Sequence, residues 1–268
     1  MIESWRELDR LSPARARVRG AARRVALDVL RRRPRPDEPG VRVVHYHYVF
    51  PDQRDNFARQ LALLSSAFEP VSLSDAVGRI EAGTWSGREL AVTFDDGFRN
   101  QLEHGAPLLR EHGFSGCFYL ITDFVGAGDE ATERFCRERI LMRGGVTPMD
   151  WDDARELLAQ GHEVGSHTVS HPNLAAADDE TIDHELRESR ATLHERLGID
   201  VAHFCPPFGD AARFDSRVTA TAQSAGYRSC ATSIRGANAD PTDVWALRRH
   251  HVEADWPLDD VRWFLGVR

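Results

Sequence analysis

From Val41 onward, short β-branched and aromatic runs alternate with segments whose apolar residues recur every three or four positions. The runs predict strands over 41–49, 89–94, 116–122, 162–167, 202–205, 226–231 and 245–252, with a short extended piece at 71–73. The longer period predicts helices over 56–68, 74–81, 100–111, 150–160, 178–197, 214–224 and 258–265. Gly161 and Gly198 fall just past two of these helices, where a left-handed residue ends a helix at low cost. Residues 123–148 follow neither period and read as a loop-like insertion. Strands alternating with helices predict a parallel α/β architecture. The candidate chemistry falls just after predicted strands, at His47, Asp95-Asp96, His167 and Pro206-Pro207-Phe208. Sites at the C-terminal ends of successive strands favour a closed or nearly closed (β/α) barrel, of about seven strands, over an open sheet.

Upstream of residue 41 the pattern changes. Val18, Ala22, Val25 and Val29 form a stripe, Leu30 lies beside it, and Arg fills the other faces of a basic helix over 11–33. A Pro-rich stretch, Arg33 to Gly40, reads as a linker. The expected organisation is a basic helical arm with its linker over 1–40 and one domain over 41–268.

Charge sharpens that division. The net charge is −8, and all 34 basic residues are Arg. Residues 1–35 hold eleven Arg against four acids, while the rest holds 23 Arg against 38 acids. An acidic body argues against nucleic acid as a partner. A solvated or partly disordered leader and a helix in contact with an anionic membrane or a partner suit the arm equally well. Without lysine there is no Schiff base, P-loop lysine or Ser-Lys dyad. Cys117, Cys136, Cys205 and Cys230 form no C-x-x-C pair, so buried reduced thiols are expected. With no apolar run near 18 residues and no h-region at the N-terminus, the expected location is the cytoplasm, at most peripheral to the inner face of the membrane.

Two segments carry the chemistry. Thr93-Phe94-Asp95-Asp96-Gly97 puts adjacent carboxylates on a turn after an apolar run. Ser166-His167-Thr168-Val169-Ser170-His171-Pro172 puts imidazoles four residues apart. β-Branched residues and Pro172 make the second segment a strand end turning into a loop, not a helix. One carboxylate and two imidazoles make a three-ligand divalent-metal site with an open position, and the other carboxylate stands beside it as a general base. The same ligand set also suits a non-haem iron oxygenase. Taken singly, each segment also has a structural reading: an Asp-rich turn capping a helix, and a pair of surface histidines.

Together the two segments resemble the polysaccharide deacetylases, carbohydrate esterase family four, and Gly161-His162-Glu163-Val164-Gly165-Ser166-His167 fits the family's wording around the first histidine. The resemblance covers about residues 41–252. It implies a distorted barrel and an amide hydrolase acting on an N-acetylated sugar, glycan or lipid-linked glycan. It also implies Asp95 as base and Asp96, His167 and His171 as ligands of a divalent ion, with zinc the expected metal. Where the family carries an Arg-x-Pro-Tyr-Gly-like segment, this chain has Cys205-Pro206-Pro207-Phe208-Gly209. Phe208 is then the backbone oxyanion donor. Cys205 replaces the arginine that steadies the base, which keeps open a catalytically idle carbohydrate-binding barrel; Arg249 is the candidate substitute. The family's C-terminal general-acid motif is absent. The Tyr46-His47 strand resembles the permuted, exported-polysaccharide branch, which makes His47 the acid. Alternation puts His45 on the same face as His47, and His250 and His251 remain rivals. His162 is expected to pack in its strand. His104, His112, His184, His194 and His203 are expected at the surface, and Trp245, Trp256 and Trp263 in the core.

Overall fold

A computed structural model of the chain describes residues 1–10 and 39–267; the basic helix expected over 11–33 lies outside the described residues. Strands β1 (Arg42–Tyr46), β2 (Glu69–Pro70), β3 (Glu89–Phe94), β4 (Gly116–Leu120), β5 (Glu163–Ser166), β6 (His203–Phe204), β7 (Ser229–Cys230) and β8 (His250–His251) form one parallel sheet. Its path runs β7-β6-β5-β4-β3-β1-β8, with β2 attached to β3. One parallel bridge, Ala231 to Leu247, joins the exit of β7 to the approach of β8 and closes the ring as a distorted barrel. The seam is fastened by amides: Thr232 N–H donates to Leu247 O (2.8 Å), Leu247 N–H to Cys230 O (2.9 Å) and Arg249 N–H to Ile234 O (2.8 Å).

Helices fill the crossovers: α1 (Trp5–Arg10), α2 (Arg54–Ala67), α3 (Leu73–Ala82), α4 (Ala106–Glu111), α5 (Asp129–Phe135), α6 (Trp151–Ala159), α7 (Asp179–Leu197), α8 (Ser216–Ser224) and α9 (Leu258–Leu265). Alternation along the strands divides the core, because successive side chains face opposite ways. Val44, Tyr46, Val92, Phe94, Phe118, Leu120 and Phe204 share one cluster with the helices. Val43, Ala91, Cys117, Tyr119, Cys205 and Leu247 share another, joined by Leu73, Val77 and Ile80 of α3. Small residues dominate this second set, as the narrow inside of a barrel requires. Gly165 belongs there too: a Cβ on it would lie 2.6 Å from Tyr119 Cδ1.

Several expectations shift. Strand 245–252 shortens to two paired residues, and the helix expected over 74–81 starts at Leu73, with Ser72 as its N-cap. The stretch 123–148 is not all loop, since it contains α5 followed by a wide turn over Cys136–Ile140. The start of the chain packs on the barrel through Ile2, Trp5 and Leu8. Ile2 is buried with Phe50, Phe98 and Phe124, and Asp52 accepts from the Trp5 and Arg6 amides at the start of α1. His203 is buried, not surface: its Nδ1 meets Ser229 Oγ (2.8 Å) and its Nε2 meets Ser74 Oγ (2.9 Å). Those two hydroxyls satisfy the ring inside the sheet, so burial is tolerated. All four cysteines are buried and free, as expected.

Candidate active site

The strand ends converge on a cavity of about 270 Å³ lined by His47, Asp95, Asp96, His167, His171, Phe208 and His251, among others. Asp95 continues the inward set Ala91 and Thr93 of β3, and its amide donates to Tyr46 O (3.0 Å). Asp96 then takes φ 73°, which turns its carboxylate to the same mouth. Gly97 follows at φ 78°, where an added Cβ would lie 2.8 Å from Leu120 Cδ2. The Gln101 carboxamide ties the ends of β1 and β3 together, donating to His47 O (2.5 Å) and Asp95 O (2.6 Å).

The histidine loop is clamped from behind by Glu185 of α7. Its buried carboxylate accepts from the Val169 and Ser170 amides (2.8 and 2.9 Å) and from Ser170 Oγ (2.6 Å). His171 N–H donates to Thr168 Oγ1 (3.0 Å). Thr168, His171 and Phe208 also have positive φ, at 70°, 58° and 63°. With Asp96, four of the five described non-glycine residues in this region of backbone space belong to the site. Such strain, of order 1–3 kcal/mol per residue, concentrates where surrounding structure over-determines a functional geometry.

The two imidazoles present matching atoms. His167 Nδ1 donates to Cys205 O (2.6 Å) and His171 Nδ1 to Arg139 O (3.0 Å). Both Nε2 atoms lie 3.5 Å from Asp96 Oδ1. Tetrahedral coordination with bonds of about 2.0–2.1 Å puts neighbouring donor atoms roughly 3.3 Å apart, so the trio fits a metal ion. The carbonyls fix the tautomer that leaves each Nε2 lone pair free, as ligating histidines require. Asp95, His167 and Cys205 also come within reach of one another. In that set, however, both Asp95 oxygens are engaged by Arg249, at 2.7 and 2.8 Å, and Arg249 also meets the Cys205 sulfur at 3.0 Å. The two aspartates therefore separate by partner: Asp96 faces the imidazoles and Asp95 faces the guanidinium.

Charge follows the same division. Burial pushes both carboxyls up, but Arg249 overrides it at Asp95, and the His167 and His171 hydrogen bonds override it at Asp96. Both pKa values end below the usual carboxylate range. Arg249 is wholly buried and also donates to Thr93 Oγ1 (3.1 Å) and Thr232 O (2.7 Å). The arginine absent at position 205 thus arrives from the approach to β8.

His47 lies at the rim, 5.6 Å ring to ring from His45 and 5.3 Å from His251. His250 pairs in register with Val44, on the helix-covered face, and does not line the cavity. His251 pairs with His45 and faces inward, but burial, and then His47, push its pKa down to about 3. Among the described residues, the Phe208 amide donates to no protein acceptor. No sequence signal marks Gln101, Glu185 or the Arg139 carbonyl as positioning groups. Each acts through a backbone contact that leaves no spacing rule.

The family model "Polysaccharide deacetylase" matches residues 82–230, more than half of the chain. The chain belongs to the polysaccharide deacetylase family. The match takes in the Asp95-Asp96 turn, the histidine loop and the Phe208 segment. Among curated members, a putative polysaccharide deacetylase YxkH of Bacillus subtilis is 21% identical over 161 residues, covering 60% of this chain and 50% of that one. A peptidoglycan-N-acetylglucosamine deacetylase of Bacillus cereus is 25% identical over 147 residues, covering 54% and 45%. The chain thus spans half or less of the length of these two relatives. The solved structure of IcaB from Ammonifex degensii superposes with a TM-score of 0.70 at 23% identity, covering 85% of this chain and 98% of that one. At that identity the likeness establishes the deacetylase barrel fold.

Proposed function

We propose that this polysaccharide deacetylase family member removes N-acetyl groups by hydrolysis from an amino-sugar glycan or glycolipid, with zinc as the resident ion. The observation that carries the reading is the divided carboxylate pair: Asp96 is turned to two tautomer-locked imidazoles, and Asp95 is held ionised by a buried arginine in the same cavity. Asp96, His167 and His171 would hold the ion. It would supply Lewis acidity, polarising the acetyl carbonyl and lowering the pKa of a water toward neutrality.

The chain's own groups do the rest. Asp95, kept as a carboxylate by Arg249, takes the proton of the attacking water. The Phe208 amide donates to the oxyanion as it develops, and its positive φ aims that N–H without calling on the ring. His47, protonated, gives a proton to the departing amine; the half-buried His251, held neutral, is poorly suited to that task. The products are acetate and a free amino sugar. Because Arg249 occupies the role that Cys205 leaves open, its geometry supports an active enzyme over an idle binding barrel. Acetate release from an N-acetylglucosamine oligomer, abolished by chelation and restored by zinc, is the expected result. A fully metal-loaded chain that releases no acetate from N-acetylated oligosaccharides would refute the reading.

A further inference from the structure

Three further histidines gather beside the metal trio. His45 from β1, His47 just beyond it and His251 from β8 face one another across the β1–β8 pair. His45 and His251 are register partners, with ring centroids 5.0 Å apart and ring planes 20° from parallel. The other two centroid separations are 5.3 Å for His47 with His251 and 5.6 Å for His45 with His47. A ligating nitrogen from each ring lies within 4.8 Å of the other two.

We infer that His45, His47 and His251 form a second transition-metal site, whose filling withdraws His47 from proton donation. The centroid separations match those of three imidazoles around one ion. With metal–nitrogen bonds of about 2.0–2.1 Å at tetrahedral angles, ring centroids sit roughly 5 Å apart. The His167–His171 pair of the first trio has a separation of 5.1 Å. His45 adds an independent sign: it is buried, and its Nδ1 has no hydrogen-bond partner. His47 and His251 line the catalytic cavity, which gives an ion its entry path. Imidazole-rich sites suit zinc, copper and nickel.

The same features set the order of filling. In the first site a carboxylate supplies charge, and both Nδ1 atoms are anchored on backbone carbonyls. The second site has three neutral-type ligands, no carboxylate in the trio and the Arg249 charge nearby. Among the described residues its ring nitrogens also make no hydrogen bond within the protein. Loss of outer-shell partners alone weakens metal binding about 10–100-fold, so the second ion enters only after the first.

The test is a zinc titration of the metal-stripped full chain in a metal-buffered solution, read as bound zinc per chain. Wild type should fill in two phases, one ion and then a second at least tenfold weaker. His45→Gln and, separately, His251→Gln should stop at one ion, and the tight ion they retain shows that the barrel is intact. Saturation of wild type at one ion would overturn the site, as would a second ion that persists in both variants. This stoichiometry does not depend on the deacetylase reading. Acetate release, which does, should fall in wild type as the second phase fills. Undiminished release from the two-ion form would overturn the claim that the ion competes with His47.

Discussion

Replacing Arg249 with methionine tests the division of labour between the two aspartates. The side chain is wholly buried and makes two charged hydrogen bonds to Asp95, at 2.7 and 2.8 Å. Methionine keeps an apolar stem but leaves Asp95, itself only 4% exposed, without its counter-charge. Breaking one side of such a buried pair costs about 3–5 kcal/mol. For a domain of this size that is a fall in Tm of roughly 6–20 °C. The sign of the pH dependence follows from Asp95. Its folded pKa is depressed, so its contribution is present above the unfolded value and lost as pH falls through the folded one. The wild-type advantage should therefore be widest near neutrality and narrow below about pH 4. In activity, the acid limb of kcat/KM should move to higher pH, because burial then acts on Asp95 unopposed. Paired thermal melts and pH–rate profiles measure both effects, and adding Asp95→Asn to the variant should restore much of the lost stability. A destabilisation under about 1 kcal/mol together with an unmoved acid limb would refute the ion-pair argument.

The other expectations are narrower. His167→Ala should abolish tight metal binding, whereas Asp95→Asn should keep the ion and lower kcat by about two to four orders of magnitude; metal analysis beside acetate assays distinguishes the two outcomes. His47→Ala should retain the first-site ion and lose the basic limb of the pH–rate profile, with His250→Ala leaving that limb in place. His203, whose pKa burial and then Arg228 push down to about 4, should make the fold acid-sensitive. Neutral in the folded state and protonated when unfolded, it subtracts about 3 kcal/mol as pH falls from 6.5 to 4, and urea titrations of wild type and His203→Asn across that range would show the slope flattening in the variant.

What could be read from the sequence was what is local. Asp95, Asp96, His167 and His171 sit in two short segments whose residue types and turn chemistry already imply a shared mouth, and alternation puts His45 and His47 on one face. The contacts that could not be read span long sequence separations. Arg249 reaches Asp95 across 154 positions, and only the ring closure makes them neighbours. Helix α5 escaped because its seven residues, Asp129–Phe135, carry little apolar stripe. His203 was misplaced because the hydroxyls that make its burial tolerable come from β7 and from α3. Histidine alone carries no signal of such partners.

The single bridge between Ala231 and Leu247 has a dynamic consequence. A seam with so few ladder bonds would ordinarily be where a barrel breathes, opening locally at small cost. Here the residue just past it, Arg249, crosses the interior to a carboxylate on β3, and its guanidinium also grips Thr232 on the far lip of the seam. Parting the lips would strand two buried charges at once. The opening is therefore coupled to rupture of the site, and the weakest join in the sheet is raised toward the cost of global unfolding. Asp95 in turn keeps its counter-charge only while the ring stays shut, so the charge state of this carboxylate reports whether the barrel is closed.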